Sequence, residues 1–201
     1  MHLVYDHGAW GNWENLGGAW RFLVGAASPE VGKIEVLVTD GAPQLFTRSY
    51  QGGTWIAPDP LSERDEVNGL GQVVRTGNQR LDLVMRGQHS EVKHLAYIGV
   101  NWGRNWETLG GPASDPPGIA GWTDPGHGLP HLETFISGTN HAIYRKRSDG
   151  GVWTATWEDI GTTPYTWVFD PQGVSWAPGR IDLIGYGSDT NKVYLAHRFF
   201  Q

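Results

Sequence analysis

The chain has no cysteine and only 2 methionines, and its charged residues amount to 18%, against about 25% in an average soluble domain. The missing cysteine excludes a disulfide framework, cysteine-ligated zinc and a thiol nucleophile, and leaves the redox compartment open. No run of 18 apolar residues occurs, so no membrane-spanning helix is expected. Basic residues are scarce and scattered: 15 Lys and Arg against 21 Asp and Glu give a formal net charge of −6. The densest basic run, Tyr144-Arg145-Lys146-Arg147, is short and is followed by Asp149. Phosphate binding needs clustered Lys and Arg, so no nucleic-acid partner is expected. The opening Met1-His2-Leu3-Val4-Tyr5-Asp6-His7 has neither the basic nor the apolar stretch of a signal peptide. That reads as cytoplasmic synthesis, with release by another route left open.

What is plentiful points the other way from helices. The 201 residues hold 29 Gly, 12 Pro and 11 Trp. Such a composition suits short strands joined by tight turns, and the length suits a single domain on a prior of roughly 150 residues. With 39% hydrophobic residues, a core can form without covalent staples.

Two motifs repeat in phase. One is a Trp-rich segment: Trp10–Gly18, Trp102–Gly111, Trp153–Gly161 and a degenerate copy, Thr54–Leu61. The other alternates basic, apolar, acidic, apolar: Lys33–Val38, Arg80–Met85, His131–Ile136 and Arg180–Ile184. Its starts fall about fifty residues apart, the period of propeller blades. Third strands follow at Gln44–Arg48, Val92–Tyr97, His141–Arg145 and Lys192–His197, and first strands are clearest at Ile119–Trp122 and Val174–Trp176. The expectation is an all-β propeller of four blades, each of four antiparallel strands, forming one domain over 1–201. Its repeats run near 19–61, 62–111, 112–161 and 162–201. The chain ends after a third strand and begins with a fourth, so the N-terminal strand within 1–18 is expected to complete the C-terminal blade and protect its edge. One block resists this: His2–Asp6 also reads as a third strand, a fifth for four blades.

The Trp-Glu-x-Leu-Gly-Gly ends, the Arg-Ile/Leu-Asp-Leu strands, Gly138–Lys146 and Val174–Leu183 together resemble the Photorhabdus lectin-like β-propellers, relatives of the fungal fucose-binding lectins. The resemblance covers nearly the whole chain. It implies shallow pockets between blades that hold sugars such as fucose or a methylated or acetylated hexose, several per chain. It also implies a glycoconjugate partner and no cofactor. Those lectins usually have six or seven blades, and four blades can close alone or two chains can combine, so a homo-oligomer stays open.

A pyranose offers an apolar C–H face to an aromatic ring and a rim of hydroxyls to fixed polar groups. Trp13, Trp106 and Trp157 are each followed by a carboxylate (Glu14, Glu107, Glu158), and Arg86, Tyr144 and Arg145 can reach hydroxyls. A Trp recurring at one place in every unit also reads as packing between blades. The acidic residue of the second strand (Glu35, Asp82, Glu133, Asp182) reads as structural, bracing turns or pairing with the basic residue beside it. Trp122 and Trp176 sit beside Pro/Gly loops, where binding residues concentrate. His127 and His131 have metal-like spacing, but Gly128 and Pro130 deny them a helix, so no metal site is expected. An enzyme acting on a small apolar metabolite, in the central channel or at one blade interface, is the competing reading. A protein-interaction platform is a third.

Overall fold

The computed structural model describes residues 1–124, 128–140, 142–161, 166–188 and 193–200, and these contain strands and turns with no helix. Short turns between alternating segments favour antiparallel pairing, and every strand pair is antiparallel. The first sheet pairs β1 (Tyr5–Asp6) with β2 (Ala9–Trp10). The second runs β3 (Phe22–Ala27), β4 (Lys33–Thr39) and β5 (Leu45–Gln51), with β6 (Thr54–Trp55) and β7 (Asp59–Pro60) both on β5. The third runs β8 (Val67–Gly77), β9 (Arg80–Gly87) and β10 (Val92–Ile98), with β11 (Asn101–Trp102) and β12 (Glu107–Gly110) on β10. The fourth repeats this with β13 (Gly118–Thr123), β14 (Pro130–Ser137), β15 (Ile143–Asp149), β16 (Val152–Trp153) and β17 (Glu158–Asp159). The fifth holds β18 (Thr166–Ala177), β19 (Arg180–Ser188) and β20 (Val193–Phe200).

The two repeating motifs are the second and fourth strands. Each Trp-rich segment is broken in the middle. Opposite the three steps from Tyr97 to His94, the chain takes five, from Trp102 to Glu107. The same extra pair lies between Trp153 and Glu158, and one extra residue lies between Trp55 and Asp59. This bulge lifts the segment off the sheet and throws the second tryptophan toward the preceding sheet.

Side chains alternate across a strand, and the second strands bury both faces. Leu81, Leu83 and Met85 of β9 join Leu37, Leu45 and Leu61 of the second sheet in one core cluster. Val84, on the other face of β9, joins Ile119 and Ile136 of the fourth sheet. Phe135 of β14 faces Ile181 and Leu183 of the fifth. The sheets therefore stack in chain order, and their inner strands β3, β8, β13 and β18 meet one after another. None of the five sheets closes on itself.

The N-terminal strand does not complete the last sheet. Tyr5 pairs with Trp10 and His2 bridges to Glu14, as Tyr97 pairs with Trp102 and His94 with Glu107. Residues 1–14 are thus a third and a fourth strand of the repeat, paired with each other and leaning on the second sheet. There Trp55 donates to Glu14 and Arg48 to the Leu16 carbonyl. A partner two residues away across Gly8 costs far less loop entropy than one nearly the whole chain away. The extra third strand at His2–Asp6 is real, and it claims the fourth strand that was expected to travel.

At two of their glycines the inner strands leave no room for a side chain. A Cβ on Gly118 would sit 1.8 Å from the Pro171 carbonyl oxygen, and one on Gly71 2.1 Å from that of Val84. Gln72 fills their meeting point: its amide donates to Gly173 O (2.9 Å) and accepts from the N–H groups of Ile119 (2.8 Å) and Gly173 (3.3 Å). Gln72→Met keeps the volume and leaves these backbone groups unpaired, at about 1–3 kcal/mol for each fully buried group. A loss of about 2 kcal/mol is expected, seen as a fall in Tm of roughly 4–8 °C in thermal denaturation.

Candidate functional site

Alternation places Glu35, Asp82 and Glu133 on the face of the second strand turned toward the following sheet, and Asp182 on the corresponding face of the last sheet. Glu35, Asp82, Glu133 and Asp182 are only 2%, 0%, 5% and 6% exposed. Burying a carboxylate is costly unless donors meet it, and each sheet supplies them differently. Asp82 takes a two-pronged bond from Arg80 (3.0 and 2.9 Å), a hydroxyl from Thr76 and His94 Nε2 at 3.0 Å. Asp182 takes the same fork from Arg180, plus the Trp176 indole N–H at 2.9 Å. Glu133 meets His131 Nε2 at 3.2 Å and Arg145 at 3.3 Å. Glu35 takes the hydroxyls of Thr47 (2.6 Å) and Ser49 (2.8 Å) and the Trp102 N–H (3.2 Å), all on Oε2.

In front of two of these carboxylates the sheets part into a cleft. Between the third and fourth sheets a cavity of about 330 Å³ is lined by Arg80, His94, Glu107, Leu132, Ser148 and Trp153, among others. Trp153 meets His94 edge-on at 5.3 Å and donates to Glu107 Oε2 at 3.3 Å. Between the second and third sheets a cavity of about 180 Å³ is lined by Lys33, Glu35, Thr47, Asp59, Trp102 and Arg104, among others. A third cleft, open and about 300 Å³, lies at the ends of β8, β13 and β18, with Trp122 and Trp176 on its walls. Trp122 stacks on His131 at 4.2 Å, and Trp176 lies 4.9 Å from the Arg180 guanidinium.

The other expected site residues divide by role. Trp106 and Trp157 donate to the carbonyls of Leu61 (2.9 Å) and Leu109 (3.1 Å) in the preceding sheet and pack on its core. Trp13, the corresponding N-terminal residue, is 63% exposed. Glu107 rims the cleft between the third and fourth sheets, Glu158 is forked to Arg145 (2.9 and 3.3 Å), and Glu14 holds His2 and Trp55. Arg86 braces a turn through Ala113 O (3.0 Å) and Ser90 Oγ (2.6 Å). Tyr144 accepts from Asn140 at 2.8 Å. His127 lies outside the described residues, among which no group of three or more His, Asp or Glu could hold a metal ion. The cleft-lining residues not singled out from sequence are Trp102, Trp153 and His94. Their signal is partial: a tyrosine lies opposite the first tryptophan in three copies (Tyr5, Tyr50, Tyr97), with Ser148 opposite Trp153, and a histidine lies opposite Glu14 and Glu107.

His94 donates Nδ1–H to Glu107 at 2.6 Å as well as Nε2–H to Asp82. Two acceptor-only carboxylates require both ring nitrogens protonated. Burial alone would lower the His94 pKa, but the bonds to Asp82 and then Glu107 outweigh it and hold it above its ordinary value. Burial would raise Asp82, yet His94 and Arg80 hold it below the usual range, and Glu107 is lowered by His94. Linkage then gives both signs. The cluster stabilises most between about pH 4.5 and 6.5. It weakens in acid as the carboxylates protonate through their lowered values, and in alkali as His94 deprotonates through its raised one. A fall in Tm between pH 7 and pH 9 is expected of the unmodified protein, and His94→Gln should flatten it. Parallel Tm curves would contradict the assignment.

No family model matches the chain, and no curated protein matches it in sequence. Solved structures do. The BP39L lectin from Burkholderia pseudomallei superposes with a TM-score of 0.65 at 16% identity, over 98% of this chain and 60% of its own. AofleA from Arthrobotrys oligospora gives a TM-score of 0.53 at 12% identity, over 86% of this chain and 55% of its own. A weaker likeness, with a TM-score of 0.48, is to the fucose-specific lectin from Aleuria aurantia at 15% identity, over 83% of this chain and 54% of that one. This chain therefore spans somewhat over half the length of the lectins it superposes on, and at these identities the first two likenesses establish the shared all-β fold.

Proposed function

We propose that the chain is a carbohydrate-binding protein of the lectin type. It is a single propeller domain over 1–201 with four blades near 19–61, 62–111, 112–161 and 162–201, preceded by the outer strand pair of a further blade. It takes fucose-like or O-methylated monosaccharides in the clefts between blades, more than one per chain. The observation that carries this reading is the repeated cleft, in which a buried carboxylate, its polar partner on the third strand and a tryptophan of the following sheet converge. The two clefts between sheets, about 180 and 330 Å³, sit at or below the small end of ligand pockets and suit one sugar ring. Fixed donors and acceptors match hydroxyls, and an indole ring matches the apolar C–H face. The solved structures on which it superposes include one named a lectin. Each cleft gives a small sugar few contacts, so affinity at one site is weak and repetition supplies avidity.

A glycan array containing fucosylated and O-methylated sugars, followed by calorimetry, tests this. At least two sites per chain are expected. Trp153→Ala should weaken binding at the cleft between the third and fourth sheets by about tenfold or more, the range of a buried aromatic anchor. A blank array overturns the reading.

A further inference from the structure

The repeats act as controls for one another, and one of them departs from the rest. Two residues before each buried acid stands a basic side chain, and two residues after it, across the hairpin, stands the third-strand partner. In the third sheet these are Arg80 and His94, the latter opposite Val84; in the fourth, His131 and Arg145, opposite Phe135. Both acids are met by both cations, and Asp182 is met by Arg180.

In the second sheet the same two places hold Lys33 and, opposite Leu37, Thr47. Thr47 brings no charge. Lys33 Nζ turns instead to the Tyr97 hydroxyl at 2.8 Å and to Glu30 at 3.6 Å. Arg104, on the cleft's rim, is bound to Asp59. Glu35 therefore has neutral donors only, all three on Oε2, and Oε1 takes no bond among the described residues. Of the charged groups here, Lys33 matches Glu30 and Arg104 matches Asp59, which leaves the charge of Glu35 over. This carboxylate is 2% exposed and lines the cavity of about 180 Å³.

We propose that this cavity binds an amino sugar. Its primary ammonium would sit on Glu35 Oε1, in the place that His94 and Arg145 fill in the next two sheets. A buried carboxylate without a cation is the costly half of an ion pair, and an ammonium with three donors answers it better than a hydroxyl. The cavity's size limits the ligand to one ring. The ammonium follows from the residues alone, whereas the sugar ring rests on the carbohydrate reading above.

Calorimetry on the full chain with D-glucosamine, N-acetyl-D-glucosamine, D-glucose and cyclohexylamine, beside methyl fucoside, tests the two separately. Glucosamine is expected to bind, and acetylating its nitrogen or replacing it by hydroxyl should weaken binding at least tenfold. Glu35→Gln should abolish it. So should Thr47→Arg, which installs the resident cation of the fourth sheet, while binding of the fucoside at the other cleft persists. Should Thr47→Arg fail to fold, the near-isosteric Glu35→Gln decides. Equal affinity for glucosamine and glucose, or glucosamine binding unchanged by Glu35→Gln, overturns the proposal. Binding of cyclohexylamine that depends on Glu35, with every sugar blank, supports the ammonium site and overturns the carbohydrate reading. Fucoside binding with both amines blank does the reverse.

Discussion

A carboxylate driven between two sheets must find donors there, and that requirement organises this molecule. The acid at the centre of each second strand is almost wholly buried, in the first three of these sheets on the face turned to the next. It can be satisfied from its own strand, from the third strand, or from the following sheet, as the Trp102 N–H does for Glu35. The second and third of these solutions tie elements distant in sequence, so those polar groups specify register as well as neutralising charge. Packing alone would tolerate a sheet slid by two residues, since alternation returns the same apolar face. A buried ion pair would not, because a slip leaves a charge without its partner.

Stacking follows from the same alternation. A second strand that is apolar on both faces needs a sheet on each side, so sheets add in series. The series has two ends. At one, Ile184 and Val174 of the fifth sheet are 38% and 46% exposed, whereas Leu37 and Val84, two residues beyond the acid on the second strand as Ile184 is, are at 0%. At the other, Phe22 and Leu23 of β3 are exposed, and residues 1–18 cover only the outer part of that sheet. The hairpin of residues 1–14 reproduces the outer half of the repeat down to its His–Glu–Trp contacts, which shows how local that half is. It forms from adjacent residues without the inner strands.

The strands were legible in the sequence because their period, their Gly-rich turns and their alternation agree at every level. The direction of closure was not. It depends on a competition between two partners for the segment from Trp10 to Glu14, and loop entropy decides that competition without leaving a compositional mark. The split between packing and cleft tryptophans was hidden for another reason. Trp102 and Trp106 differ by four residues and, on a flat strand, would share a face. The bulge between them sends Trp106 to the Leu61 carbonyl and leaves Trp102 beside Glu35. Reading Asp82 and Asp182 as partners of the basic residue beside them held for Arg80 and Arg180. The same pattern over Lys33 and Glu35 misleads, because a lysine is a flexible point donor and Tyr97 offers it another acceptor.

Repetition with unequal chemistry has a consequence for binding. In the third and fourth sheets the acid is neutralised from within, and a ligand must either displace a hydrogen-bonded cation or bind beside it. At Glu35 the polar group is preorganised and unspent, so the ordering cost that weakens most small-ligand sites has been met by Thr47, Ser49 and Trp102 during folding. Clefts of one architecture then differ in what they favour: neutral hydroxyls where His94 and Glu107 already form a closed pair, and a donor of positive charge where Thr47 leaves the carboxylate open. Duplicated architecture can in this way carry unlike sites, and the residue that separates them is the one on the third strand, opposite the position two beyond the acid.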